Sequence, residues 1–128
     1  VKRLVPRMME ELEGYKQLTK NDDGVPCMDS SFLFAYKDKL FSIEHYGSVI
    51  EVDDFCAIGS GAPEAMGSLF STVNVDDPIK RIQDAIKSSA THDIYVDYPI
   101  VISSTEKAEF KVFYEKDLAA DQQCKSSK

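Results

Sequence analysis

By type and spacing, the residues of this chain best suited to chemistry are Gly59-Ser60-Gly61, a serine between two glycines. The triplet follows a short apolar run at residues 55–58 and precedes a segment whose apolar residues recur with helical spacing. Glycine permits a tight strand-to-helix turn and the close approach of another backbone, so the turn can present the Ser60 hydroxyl to a reacting group. A purely structural turn stays open as the alternative, because such turns are common.

Other candidate groups have simpler interpretations. His45 and His92 lack a partner at metal-ligand spacing, so we expect surface or capping roles for them. The three cysteines, an odd number without a CxxC pair, indicate neither a disulfide framework nor a zinc site, and we expect a reducing compartment. The aspartate pairs are interpreted as turn and cap residues: Asp22-Asp23, Asp53-Asp54 and Asp76-Asp77.

Composition limits the class of protein. A chain of 128 residues with 43% hydrophobic and 29% charged residues suits one globular domain with a modest core. A net charge of -7 argues against nucleic acid or an anionic membrane surface as partner. No apolar stretch approaches the roughly 18 residues of a membrane span, and no secretory leader is visible, so we expect a cytoplasmic protein. The first residue is Val1, which is compatible with an engineered piece, a processed product or a fragment.

The elements that must position the glycine-serine-glycine turn follow from periodicity and turn residues. Helical spacing predicts a first helix at 2–18, a second that starts at 62, and a third from 78 to about 90 that Asp76-Asp77-Pro78 begins. A polar loop is predicted at 19–29. Strands of an antiparallel meander are predicted at 31–36, 39–44, 49–52 and 55–58, and two closing strands at 98–103 and 109–114. Beyond residue 116 the composition predicts loop or disorder.

The order of these elements, together with the residues Phe55-Cys56-Ala57-Ile58-Gly59-Ser60-Gly61, resembles the later part of the proteasome β-subunit family. The similarity is strongest to its bacterial HslV-type peptidases, and it extends over about residues 5–102. The resemblance implies an α+β fold, the αββα sandwich of the N-terminal-nucleophile hydrolases, with the N-terminal strands absent. It further implies one domain over residues 1–116, incomplete at its N-terminus, and a flexible tail over residues 117–128.

The resemblance implies a threonine-type peptidase. In the family, the hydroxyl of an N-terminal threonine attacks the peptide carbonyl, its own α-amino group is the base, a lysine adjusts that amine, and backbone N–H groups hold the oxyanion. These parts belong to the first strands of the fold. We therefore expect the chain as given to lack the nucleophile and to be inactive alone.

Accessory residues are carried over position by position from the resemblance. Ser60 matches the serine that hydrogen-bonds near the terminal amine, with Gly59 and Gly61 as the turn and oxyanion positions. Asp93 matches an aspartate that supports the nucleophile and lies three residues before a serine in the family. Val96 stands in place of that serine, so this second support is incomplete.

The resemblance also implies a possible cation and several partners. HslV-type relatives bind a monovalent or divalent cation through backbone carbonyls, which would be those of Ala90, Asp93 and Val96 here; no other cofactor is expected. The expected partners are further copies of the chain or the missing N-terminal segment, an AAA+ unfoldase and a peptide substrate. Two alternatives stay open. One is a non-catalytic structural or interaction protein of the same fold, for example of phage type, and the other is a small ligand-binding α+β domain complete at this length.

Overall fold

The structure, a computed structural model, describes residues 3–123. It has an α+β fold in which every strand pair of that range is antiparallel. The elements in chain order are α1 (Leu4–Gly14), β1 (Leu18–Lys20), β2 (Pro26–Met28), β3 (Phe32–Tyr36), β4 (Lys39–Ile43), β5 (Val49–Val52), α2 (Ala62–Ser71), α3 (Pro78–His92), β6 (Ile100–Ser103), β7 (Phe110–Phe113) and α4 (Glu115–Gln123).

The chain divides into two compact units, Val1–Ile58 and Gly59–Lys128. The first unit contains α1 and two small sheets, and the second contains the remaining helices and the β6–β7 hairpin. The predicted single domain over residues 1–116 stays a prediction. Within residues 3–123 no helix has both the length and the apolar character needed to cross a membrane.

The first helix is shorter than predicted, and the predicted loop after it is partly a hairpin. α1 ends at Gly14, and Lys16 then adopts left-handed backbone with a φ of +57°, which stops the helix. β1 pairs with β2 across the segment predicted as loop. The Asn21 side chain closes this hairpin by accepting hydrogen bonds from the N–H groups of Asp23, at 3.1 Å, and Val25, at 2.8 Å.

Three strands of the predicted meander are confirmed, in the order β3-β4-β5. The fourth, at 55–58, is wrong, because those residues form no β-ladder with any other part of residues 3–123. One face of the sheet carries Ile43, which is 1% exposed. The other face carries Leu33 and Ile50, at 37% and 56% exposure.

In the second unit α2 and α3 pack against each other, and the β6–β7 hairpin lies against α3. Asp77 caps α3 by accepting hydrogen bonds from the N–H groups of Ile79 and Lys80, as the aspartate-proline sequence predicts. Arg81 of α3 donates from Nη2 to the Leu69 carbonyl of α2 at 3.0 Å. The buried apolar residues of this unit are Leu69, Ala85, Ile100 and Ile102.

The C-terminal segment differs from the predicted loop. α4 extends over Glu115–Gln123, and the Asp117 carboxylate at its start accepts a hydrogen bond from the Tyr114 N–H at 3.1 Å. A short carboxylate side chain that caps the first turn makes a helix favourable where composition suggested none. The rest of the predicted tail, residues 124–128, lies outside the described residues.

Candidate functional site

The glycine-serine-glycine turn joins residues 55–58 to α2, and its first glycine is required by the backbone. Gly59 has a φ of +98°, a conformation that side chains with a Cβ rarely adopt. The Gly59 carbonyl accepts a hydrogen bond from the Ala62 N–H at 3.1 Å, which closes the turn immediately before α2. The sequence motif therefore forms the tight turn that was predicted.

The second glycine of the turn, Gly61, must lack a side chain because neighbouring residues occupy the space that a Cβ would need. Gly61 is buried, and a Cβ added to it would lie 2.7 Å from Ser89 Cβ and 2.9 Å from Val96 Cγ2. Carbon atoms in proteins approach each other to about 3.5–4.0 Å at best separation, so there is no room for a side chain. The close approach of another segment, predicted from the motif, is that of the C-terminal part of α3 and the residues after it.

A buried hydrogen bond fixes this approach. Ser89 of α3 is 3% exposed and donates from Oγ to the Gly61 carbonyl at 2.6 Å. Sequence reasoning missed Ser89. The available signal was its position: Ile82, Ala85 and Ile86 continue by helical spacing to residue 89, so Ser89 is a hydroxyl on the apolar face of α3.

Asp93 is held at the end of α3 by three backbone contacts. Its N–H donates to the Ser89 carbonyl at 2.8 Å, and its own carbonyl accepts from the Val96 N–H at 3.2 Å. Its carboxylate accepts from the Tyr95 N–H at 2.8 Å. The Asp93 carboxylate is therefore fixed beside the segment that contacts Gly61.

The structure brings Ser60 and Asp93 together, although they are far apart in sequence. Hydrogen bonding from the Ser60 hydroxyl lowers the pKa of the Asp93 carboxyl below its ordinary value, and the Tyr95 N–H lowers this pKa further. Ser60 is exposed and Asp93 is partly exposed, so a further polar group can approach the pair from solvent. Val96 lies against Gly61, where it contributes methyl groups and no hydroxyl.

The chemistry open to this pair follows from the lowered pKa. A carboxylate with a lowered pKa is a weaker base, so Asp93 is poorly suited to remove a proton from Ser60 and make it a nucleophile. The pair is better suited to support another group. A Ser60 hydroxyl that donates to the Asp93 carboxylate keeps its oxygen lone pairs free to accept a hydrogen bond from an incoming amine.

The predicted cation site is not decided by this geometry. Ala90, Asp93 and Val96 belong to one short segment, and the Asp93 carbonyl already accepts the Val96 N–H. Within residues 3–123 no three His, Cys, Asp or Glu side chains are grouped to hold a metal ion, but a site of backbone carbonyls would not depend on such a group. The carbonyl site stays a prediction.

The sequence of this chain is similar to known proteins of one family. The family model described as proteasome subunit matches residues 3–104. The proteasome subunit beta of Nanoarchaeum equitans is 36% identical over 81 residues, which is 59% of this chain and 41% of that protein. The proteasome subunit beta of Methanocaldococcus fervens is 33% identical over 84 residues, which is 62% of this chain and 38% of that protein. The chain thus spans about two fifths of the length of these relatives.

A solved structure is similar in fold. Thiobacillus denitrificans BPH superposes with a TM-score of 0.63 and 18% sequence identity, over 87% of this chain and 55% of that chain. At this level of identity the similarity concerns the fold alone.

Proposed function

Because the chain belongs to the proteasome subunit family and has an α+β fold of the N-terminal-nucleophile type, we propose that it supplies the accessory part of a proteasome-like peptidase site. The observation that carries the proposal is the packing of the glycine-serine-glycine turn against the end of α3. This packing brings the exposed Ser60 hydroxyl to the Asp93 carboxylate.

In the proposed reaction, this chain's residues act on a threonine that longer relatives would carry at a free N-terminus. The threonine hydroxyl attacks the peptide carbonyl, and its proton passes to the α-amino group, which later returns a proton to the leaving amine. Ser60 would accept a hydrogen bond from that amine and hold it beside the hydroxyl. Asp93, which stays ionised, would fix the Ser60 side chain. Gly59 and Gly61 would keep the turn backbone close enough to contribute to oxyanion binding.

Finer assignments rest on the family alone. Proteasome subunits assemble into oligomeric complexes, and we propose a ring of such chains that cleaves peptides delivered by an AAA+ unfoldase in the cytoplasm. We also propose that the chain is HslV-like, that the nucleophile is threonine, and that residues 1–116 form one domain. The sequence as printed would be inactive without the segment that supplies the nucleophile.

A non-catalytic role is the second candidate, and Val96 favours it. The family resemblance assigns a hydroxyl to this position, but Val96 places a methyl group against Gly61 instead. A subunit that kept the turn and lost this support could serve assembly only, as a structural or interaction protein, for example of phage type.

The test uses the protein that contains this chain, purified at its full natural length. Intact mass and N-terminal sequencing identify its first residue, and hydrolysis of a fluorogenic peptide measures activity. A peptide epoxyketone adds a specific readout, because it forms a ring with both the hydroxyl and the free amine of an N-terminal threonine. We expect an N-terminal threonine, turnover and a covalent adduct.

Ser60→Ala tests the role of the turn in that protein. We expect kcat to fall by roughly 100-fold, because proton transfer by positioned groups contributes about this much. The matched control is Ser71→Ala, since the Ser71 hydroxyl donates to the Gly67 carbonyl of its own helix and makes no other hydrogen bond among residues 3–123. Full activity in the Ser60→Ala variant would contradict the accessory role. An oligomer without turnover and without adduct would favour the non-catalytic candidate.

A further inference from the structure

One residue of α3 bonds both the turn that carries Ser60 and the backbone of Asp93. The Ser89 carbonyl accepts the Asp93 N–H at 2.8 Å, and the Ser89 hydroxyl donates to the Gly61 carbonyl at 2.6 Å. The residue is 3% exposed, so water does not compete for either bond. The turn that carries Ser60 and the helix end that carries Asp93 are therefore joined through a single amino acid.

The hydroxyl is committed to the turn rather than to its own helix. Serine in a helix commonly bonds the carbonyl four residues earlier. The Ser89 Oγ lies 3.3 Å from the corresponding Ala85 carbonyl, against 2.6 Å from the Gly61 carbonyl. A hydroxyl has one proton to donate, and the shorter contact takes it. The Gly61 carbonyl also accepts the Ala65 N–H at 3.1 Å, so this bond fixes the turn at the point where α2 starts.

Removal of the hydroxyl would free the turn without removing any group of the pair. The Gly61 carbonyl would keep its bond from Ala65, and the Asp93 N–H would keep its bond to the main chain of residue 89. The side-chain hydrogen bond between the turn and α3 would be lost. Ser60 could then move relative to Asp93 while α2 and α3 remain helical.

We propose that Ser89 is a positioning residue of this site, which sets the separation of the Ser60 hydroxyl and the Asp93 carboxylate. The inference rests on the proposed function for its catalytic consequence and deepens it. The structural part of the inference, that Ser89 controls the position of the turn, depends only on the contacts of Ser89 with Gly61 and Asp93.

The structural part is tested by amide hydrogen exchange on the full-length protein with Ser89→Ala. We expect exchange of the Ala62 and Tyr95 amides to accelerate by roughly tenfold, because their bonds close the turn and the Asp93 loop. Amides inside α2 and α3 keep their rates. The matched control is Thr91→Ala, which removes a hydroxyl of the same helix that donates to the Lys87 carbonyl and makes no other hydrogen bond within the described part of the chain. Unchanged Ala62 and Tyr95 rates, or equal acceleration throughout both helices, would overturn the inference.

The catalytic consequence is tested by a double-mutant cycle of Ser60→Ala and Ser89→Ala on peptide hydrolysis. If Ser89 acts through Ser60, Ser89→Ala lowers kcat by roughly 10- to 100-fold with KM unchanged, and has no further effect when Ser60 is already alanine. Equal losses in both backgrounds would overturn the inference. Ser89→Cys is the second variant if Ser89→Ala does not fold, since it keeps the side-chain size with a weak donor, and the same two measurements apply.

The two proposals fail in different ways. If the unsubstituted protein has no peptidase activity, the proposed function fails, and the exchange rates of Ala62 and Tyr95 still decide whether Ser89 controls the turn. If the protein is active and Ser89→Ala behaves as Thr91→Ala does, the positioning inference fails and the proposed function stands.

Discussion

Two of the turns that use left-handed backbone, those at Gly59 and Lys37, differ in what surrounds them. Gly59, with a φ of +98°, begins the turn that presents Ser60. Lys37, with a φ of +55°, lies in the two-residue connection between β3 and β4. The first turn continues into Gly61, which is buried against Ser89, whereas Lys37 is exposed and contacts its neighbour Tyr36.

The difference concerns which feature of a turn indicates function. Left-handed backbone alone does not indicate a functional turn, because the hairpin at Lys37 uses it simply to reverse the chain. Burial of the turn carbonyl against another element does indicate one, because it fixes the turn's side chain, here Ser60, relative to a group that is distant in sequence, here Asp93. Substitutions in the two turns separate the effect of backbone conformation from the effect of contacts with other elements.

The largest effect is expected for Gly61→Ala. The new Cβ would meet Ser89 Cβ at 2.7 Å, and neither atom is at the end of a flexible side chain, so backbone must move. We expect a loss of about 1–3 kcal/mol in the free energy of unfolding, measured by urea denaturation of the full-length protein. Peptide hydrolysis should fall with it, because the shift displaces Ser60.

Gly67→Ala is the matched control for that substitution. Gly67 is inside α2, and a Cβ there has nothing within 4 Å. Alanine favours a helix over glycine, so this variant should gain about 0.5–1 kcal/mol. If the two variants behaved alike, the contact with α3 would not be what distinguishes the turn.

A smaller loss is expected for Gly59→Ala, which tests backbone conformation alone. Nothing lies within 4 Å of the added Cβ, so only the φ of +98° opposes it. Left-handed backbone costs a residue with a Cβ about 1–2 kcal/mol, and the same denaturation measurement should show this loss. Gly14→Ala is the matched control, because Gly14 lies in α1, has no positive φ, and has no described atom within 4 Å of an added Cβ. A loss larger than that of Gly61→Ala would reverse the proposed ranking of conformation and contact.

The sequence predicts those parts of the structure that local chemistry determines. The two glycines place the turn, Asp77 and Pro78 start α3, and short apolar runs bounded by turn residues predict β3, β4 and β5. The family resemblance drawn from residues 55–61 is confirmed by the match over residues 3–104. These features depend on near neighbours, so periodicity and turn residues suffice to find them.

Features that depend on distant contacts were missed or predicted wrongly. Residues 55–58 have the composition of a strand but no ladder partner in residues 3–123, and a strand requires one. The β1–β2 hairpin depends on the Asn21 side chain, and α4 on the cap from Asp117, which composition alone does not show. Ser89 was missed because its partner, Gly61, lies in another element. The roles of Ser60 and Asp93 stay proposals, although the structure places them together.

Ser60→Ala tests the contact between the turn and Asp93 through the pKa of the Asp93 carboxyl. The Ser60 hydroxyl is the main cause of the lowered Asp93 pKa, so the pKa should rise in this variant yet stay below its ordinary value, because the Tyr95 N–H remains. Carbon-13 NMR titration of the Asp93 carboxyl measures it. A group with a lowered pKa stabilises the fold above its unfolded-state pKa and loses this effect as pH falls through the folded-state pKa. The variant should therefore lose less stability on acidification, and an unchanged titration would contradict the contact.

The smallest effect is expected for Lys37→Gly, since opposing effects of similar size act on the free energy of unfolding. Glycine relieves about 1–2 kcal/mol of left-handed strain. It adds about 0.5–1 kcal/mol of backbone entropy on folding, and it removes the contact of Lys37 Nζ with the Tyr36 ring at 5.4 Å, an exposed cation–π pair of about 0.5–1 kcal/mol. The free energy of unfolding should change by less than about 0.5 kcal/mol. A large change in either direction would mean that this turn, like the one at Gly59, is constrained by contacts beyond its own hairpin.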